Sequence, residues 1–177
     1  MCKLDSIRCV AKSIYEIDFN FYKKEGFKII LIDLDNTLDS YKTTTPNKKA
    51  IELIGQFKKN GLLPIIVSNN RSKRVKEYCK ALNITSLNGC YKPLPFKINK
   101  FIKKNKYSKN EILLIGDQIM TDAYCAQNLK IKMILTSPLY KEDQWTTRIN
   151  RFFEKNVKKK LLKKNKLVDW RTIYDQD

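Results

Sequence analysis

A chain of 177 residues with 36 Lys and Arg against 18 Asp and Glu carries a formal charge of +18 and has the length of one compact domain. With 42% hydrophobic and 11% aromatic residues, and only five Gly and five Pro, it can bury a core and does not read as disordered. Histidine is absent. That excludes a Ser-His-Asp triad, a His nucleophile, a His-ligated zinc and any His acid/base pair, leaving carboxylates, Lys, hydroxyls and thiols for chemistry.

Met1-Cys2-Lys3-Leu4-Asp5 shows no apolar leader, and no apolar stretch approaches the ~20 residues that span a bilayer. The five cysteines are odd in number and scattered without a C-x-x-C pair, so neither a disulfide framework nor a zinc site is expected. The chain therefore reads as cytoplasmic, with reduced thiols. The first predicted strand is the apolar run Ile29-Ile30-Leu31-Ile32. Asn47 to Lys59 predicts a helix that turns Ile51, Leu53, Ile54 and Phe57 inward and stops at Asn60-Gly61. Leu62 to Val67 is a second strand, Lys73 to Leu82 a second helix, and a weaker strand lies near Ile84. Helical spacing returns at Lys97 to Lys104, then a strand at Ile112-Leu113-Leu114-Ile115, a short helix at Thr121 to Asn128 and a strand at Ile131 to Leu135. Apolar runs alternating with helices predict right-handed crossovers and a three-layer α/β/α sandwich. The expectation is a single domain, 1–177, around a mainly parallel five-stranded sheet.

Arg148 to Lys166 stands apart, with nine basic residues and one acid. Ile149, Phe152, Phe153, Val157, Leu161 and Leu162 recur there at helical spacing. The segment reads either as a final helix packed on the domain or as a basic amphipathic helix at an anionic membrane. The 30 Lys, 20 Ile and 15 Asn are what A/T-rich codons produce, so much of the charge is spread without purpose. What remains predicts affinity for polyanions, nucleic acid or anionic lipid.

In an open parallel sheet, ligands bind beyond the carboxyl ends of the strands. There the chain places Asp33-Leu34-Asp35-Asn36-Thr37, Ser68-Asn69-Asn70, Lys92-Pro93 and Gly116-Asp117 followed by Asp122. Asp33, Ser68, Lys92 and Asp117 are 35, 24 and 25 positions apart, each interval about one strand-helix unit. Carboxylates converging on one crevice repel unless a cation neutralises them, and hard oxygen ligands beside an anionic substrate favour Mg2+. One carboxylate can attack phosphorus, and a second, two residues on, can protonate the leaving oxygen and later deprotonate water. A Ser hydroxyl and a Lys ammonium can hold the phosphoryl oxygens. The first motif is not a calcium loop, because the glycine and glutamate that loop needs at positions 6 and 12 are Leu38 and Thr44. No P-loop and no G-x-G-x-x-G occurs.

Asp33-Leu34-Asp35-Asn36-Thr37-Leu38 with Ser68, Lys92 and Gly116-Asp117…Asp122 resembles the four motifs of the haloacid dehalogenase phosphatase superfamily. Val67-Ser68-Asn69-Asn70, Tyr91-Lys92-Pro93 and Ile115-Gly116-Asp117-Gln118-Ile119-Met120-Thr121-Asp122 are similar to the YqeG-type phosphatases of subfamily IIIA. That similarity reaches Ser13-Ile14-Tyr15-Glu16 and Thr147-Arg148-Ile149-Asn150-Arg151. The resemblance implies that Asp33 is the nucleophile and a Mg2+ ligand. It makes Asp35 the general acid/base, its backbone carbonyl also on the metal, with Asp117 and Asp122 completing the metal set. Thr37, Ser68, Asn69 and Lys92 fall on the substrate side. Thr37 would fix the loop, Ser68 and Lys92 would bind phosphate, and Asn36 and Asn69 would shape the loops. Asp39 to Thr45 and Asn88-Gly89-Cys90 depart from the pattern.

Leu38 and Ser68 are 30 positions apart and Asn70 and Lys92 are 22 apart, which leaves no room for the inserted cap domain that many members carry. An open site suits a phosphate presented on something large. The subfamily's likeness to mitochondrial phosphatidylglycerophosphatase implies a lipid phosphate in phospholipid synthesis, handled at the inner face of a membrane by a peripheral protein. Two other readings stand beside it. One is a phosphatase of nucleic-acid ends, nucleotides or small phosphate esters, drawing on Lys97, Lys100, Lys103, Lys104, Lys106 and Lys109. The other is a non-catalytic RNA-binding protein on the same fold.

Overall fold

In the computed structural model, the structure describes residues 4–140, 154, 156–163 and 167–175. Six strands are present among them: β1 (Ile7–Ala11), β2 (Ile29–Ile32), β3 (Leu63–Ser68), β4 (Thr85–Asn88), β5 (Ile112–Gly116) and β6 (Lys132–Thr136). They form one sheet in the order β1-β6-β5-β2-β3-β4, and every pairing is parallel. The expected sheet had five strands; the sixth is β1, Ile7-Arg8-Cys9-Val10-Ala11. It escapes the apolar-run signal because it lies at the sheet edge and carries a half-buried Arg8, which pairs with Glu25 at 2.6 Å.

Strand side chains alternate between two cores. Ile30, Ile32, Leu113, Ile115, Ile66 and Ile134 face one; Ile29, Leu31, Ile112, Leu114, Ile65 and Met133 face the other. On the first face lie α1 (Phe19–Lys24), α2 (Lys48–Lys59) and α3 (Lys73–Ala81), which contribute Phe21, Phe57 and Tyr78. On the second lie α4 (Phe96–Lys104) and α5 (Tyr124–Leu129), contributing Ile98, Ile102 and Leu129. This is the three-layer sandwich that alternating apolar runs require.

Two helices differ in detail from the sequence pattern. In α2 the buried stripe is Ala50, Leu53, Ile54 and Phe57, spaced i, i+3, i+4, i+7, while Ile51 is 53% exposed and not inward. Thr121 to Asn128 is not one helix but a wide π-type turn, Ile119–Ala123, running into α5. Of the basic segment 148–166, Glu154 and the helical residues 156–163 are described. Leu161 is buried and Val157 half-buried in the second core, so this part packs on the domain, while Leu162 is 54% exposed. Trp145, Ile149, Phe152 and Phe153 lie outside the described residues. A last helix, α6 (Trp170–Tyr174), sets Trp170 edge-on against Phe21 at 5.9 Å.

Candidate active site

Three adjacent strands in the middle of the sheet, β5-β2-β3, end side by side and deliver the site. Asp33 follows β2 directly, with its N–H bonded to Ile115 O at 2.9 Å; Ser68 closes β3; Gly116 closes β5 and Asp117 follows. Parallel pairing aligns these ends, so residues up to 84 positions apart in the chain meet at one edge.

Lys92 stands at the centre, 5% exposed. Its ammonium donates to Asp33 Oδ1 at 2.5 Å, Asp122 Oδ1 at 2.7 Å and Val67 O at 3.0 Å. All three donors of the ammonium thus have a partner, which lets the charge sit buried. Asn69 holds Lys92 by its backbone: the carboxamide accepts from Lys92 N at 2.6 Å and donates to Lys92 O at 2.9 Å. These two bonds tie the loop after β3 to the loop that carries Lys92. Ser68 is buried, and its hydroxyl accepts from Asn70 N at 3.1 Å.

Asp33, Asp117 and Asp122 are buried together, with one carboxylate oxygen of each within 4.8 Å of the others. Thr37 donates its hydroxyl to Asp117 Oδ1 at 3.0 Å, tying the first motif to the last. Asp122 accepts from Gln118 N at 3.1 Å on its second oxygen. Gly116 makes room for it, because a Cβ built there would lie 2.4 Å from Asp122 Cγ. Burial pushes the Asp33 carboxyl well above its ordinary range; Lys92 opposes this, and Asp122, Asp117 and Asp35 add to it. For Lys92 burial acts to lower the pKa, but Asp122 and Asp33 outweigh it and hold the side chain charged. With Asp33, Asp117 and Asp122 all ionised, three carboxylates against one ammonium leave an excess of two negative charges, the repulsion that helps to raise the Asp33 carboxyl. A divalent cation fits that deficit and that donor set of hard oxygens.

Asp35 stands apart from this cluster, with its side chain 21% exposed. Its Oδ1 is 2.5 Å from Arg74 Nη2, and Arg74 Nη1 donates to Thr43 O at 3.0 Å. Arg74 is a residue sequence reasoning missed; it lies in the first turn of α3, and only packing brings it to Asp35. Asp39 was missed as well. Buried at 1% exposure, it accepts from Ser40 N at 2.8 Å, Asn47 Nδ2 at 2.8 Å and Tyr78 OH at 3.0 Å, and so pins the loop after the first motif. Tyr15, within Ser13-Ile14-Tyr15-Glu16, donates its hydroxyl to Leu38 O at 2.6 Å. Glu154 accepts from Met120 N at 3.0 Å, anchoring the C-terminal part to the turn that carries Asp122.

Between Leu38 and Ser68 the structure holds one helix, α2, and β3; between Asn70 and Lys92 it holds α3 and β4. Neither interval contains a cap.

Residues 10–136 match the family model described as haloacid dehalogenase-like hydrolase. The Bacillus subtilis (strain 168) protein named "Probable phosphatase YqeG" is 30% identical over 159 residues, 90% of this chain and 92% of its own length. Among solved structures, an uncharacterized protein from Listeria monocytogenes serotype 4b is similar with a TM-score of 0.53 at 16% identity, over 67% of this chain and 85% of that one. The 3-deoxy-D-manno-octulosonate 8-phosphate phosphatase of Yersinia pestis has a TM-score of 0.50 at 12% identity, over 72% and 83%. These two likenesses concern the fold.

Proposed function

The chain belongs to the haloacid dehalogenase-like hydrolases and is a phosphatase, and we propose that it hydrolyses a lipid phosphate monoester, phosphatidylglycerophosphate, with Mg2+ and Asp33 as nucleophile. The observation that carries the chemistry is the buried group of Asp33, Asp117 and Asp122 around Lys92. Asp33, Asp117 and Asp122, with the Asp35 carbonyl, would hold Mg2+, which would neutralise charge at the phosphoryl oxygens. Asp33 Oδ attacks phosphorus, the bond from phosphorus to the ester oxygen breaks, and the leaving oxygen takes a proton from the Asp35 carboxyl. An aspartyl-phosphate results. Water then attacks phosphorus and gives its proton to Asp35, the bond to Asp33 breaks, and inorganic phosphate leaves. Lys92 and the Ser68 hydroxyl hold the phosphoryl oxygens as negative charge develops.

The lipid substrate is supported by the open site, the resemblance of the motifs, and a chain whose positive charge suits anionic surfaces. Phosphate release from phosphatidylglycerophosphate in detergent micelles with Mg2+, beside p-nitrophenyl phosphate and a 5′-phosphorylated oligonucleotide, tests the reading. Fast hydrolysis of the soluble esters with none of the lipid overturns the substrate and leaves the phosphatase. Asp33→Asn is expected to lower kcat on every substrate by about 10⁴-fold or more; turnover equal to wild type removes Asp33 from its role.

A further inference from the structure

Beside the site, at the open edge of β4, lies a groove of about 600 Å³ that the reaction does not use. Tyr91, Leu94 and Phe96 form its crest and are 51%, 50% and 74% exposed, which is unusual for large apolar side chains placed so close together. They lie on either side of Lys92 in the sequence, so the crest and the buried ammonium belong to one loop. Arg71, Lys76 and Lys97 rim the groove, and no carboxylate lines it. Arg71 stacks its guanidinium 4.4 Å over the Tyr91 ring, and Lys97 donates to Asn88 O. The rim charges are therefore fixed beside the apolar crest. Along α4, Lys100, Lys103 and Lys104 follow, all exposed, without an acid.

We propose that this face docks on an anionic lipid bilayer, with Leu94, Phe96 and Tyr91 entering the headgroup boundary and Arg71, Lys76 and Lys97 meeting lipid phosphates. The inference rests on the phosphatase reading and deepens it, because a membrane seated here presents phosphate monoesters beside the loop that carries Lys92. Three features select the occupant. A second copy of the chain brings the same positive rim, and like charges repel. Single-stranded nucleic acid stacks successive bases on free aromatic faces, whereas Arg71 covers one face of Tyr91, Leu94 offers no ring, and Phe96 is left as a single open face on the crest. Exposed aliphatic and aromatic side chains ringed by Lys and Arg are what a bilayer interface accepts.

Co-sedimentation of the full chain with vesicles tests this. Wild type is expected to pellet with vesicles of equal parts phosphatidylcholine and phosphatidylglycerol and to stay in solution with phosphatidylcholine alone. Leu94→Ser combined with Phe96→Ser is expected to weaken binding about tenfold. Lys158→Glu, Lys159→Glu and Lys160→Glu together, on the C-terminal part, are expected to leave most binding in place. A circular dichroism melt confirms that each variant is folded. The proposal is overturned if the Leu94/Phe96 variant binds as wild type does, if the Lys158/Lys159/Lys160 variant alone abolishes binding, or if wild type retains a single-stranded oligonucleotide and ignores anionic vesicles. Turnover of p-nitrophenyl phosphate by wild type is read separately: its absence sinks the phosphatase reading without touching the vesicle result.

Discussion

Arg74 clamps Asp35 and the carbonyl of Thr43 together, so a residue 39 positions away sets where the proposed acid/base carboxylate rests. Arg74→Ala frees that carboxylate, and misplacing a reacting group by about 1 Å costs up to roughly 100-fold. The expected result is a 10- to 100-fold fall in kcat on p-nitrophenyl phosphate with little change in KM, partly restored by Arg74→Lys; an unchanged kcat denies Arg74 this positioning role. Gly116 makes a second case. A methyl group there meets the Asp122 carboxylate at 2.4 Å, and both are walled in by core. Gly116→Ala should therefore displace Asp122 from Lys92, lower turnover by more than about tenfold and cost on the order of 1–3 kcal/mol in urea unfolding. Asp33, Asp35, Ser68 and Asp117 were legible as candidates because they lie at or just past strand ends, and Lys92 and Asp122 because they follow such ends at short local spacing. Arg74 and Asp39 were not, because their partners come through packing between elements.

At the scale of elements, the loop from Asp33 to Asn47 is held by α2 as much as by its own turns. Asn47 caps α2 by accepting from Ala50 N at 2.9 Å and also donates its side-chain amide to buried Asp39. Replacing it removes a helix cap and one partner of a buried carboxylate, about 1 kcal/mol for each. Asn47→Ala is expected to lower stability by about 2 kcal/mol in urea unfolding. A loss under about 0.5 kcal/mol would show that solvent replaces both bonds. The apolar runs of β2, β3 and β5 were readable because both faces of each strand are covered. By contrast, β1 and α1 were silent. The strand is at the edge with Arg8 inside it, and the helix spans only six residues, too few for a periodic signal.

For the whole molecule, the described cysteines are buried dead ends instead of reagents. Burial pushes the thiols of Cys9 and Cys125 up to about 12 from an ordinary 9.0, and Cys79 up to about 11. In the unfolded chain these thiols ionise near pH 9, so between pH 9 and 12 the unfolded state holds fewer protons than the folded one. Stability is therefore fully present below pH 9 and falls above it, by about 1.4 kcal/mol per pH unit for each such thiol. Urea midpoints measured from pH 8 to 11 should decline, and Cys9→Ala should flatten the slope. A midpoint constant to pH 11 would contradict the burial of these groups. The same burial predicts that a thiol reagent labels Cys9, Cys79, Cys90 and Cys125 only after denaturant is added.

The pairing of β1 with β6 has a consequence in time. A chain grows from its N-terminus at about 5–20 residues per second, and among the described residues the strand that β1 pairs with lies more than 120 residues downstream. For roughly ten seconds after it emerges, Ile7 to Ala11 has no ladder to join, while β2 and β3 can already meet. Its other side closes later still, when Val10 donates to Val168 O at 2.8 Å and Trp170 settles on Phe21. The first of the six strands in chain order is thus among the last of them to be housed. Its mixed composition, with an arginine in place of an unbroken apolar run, suits a segment that must wait in water.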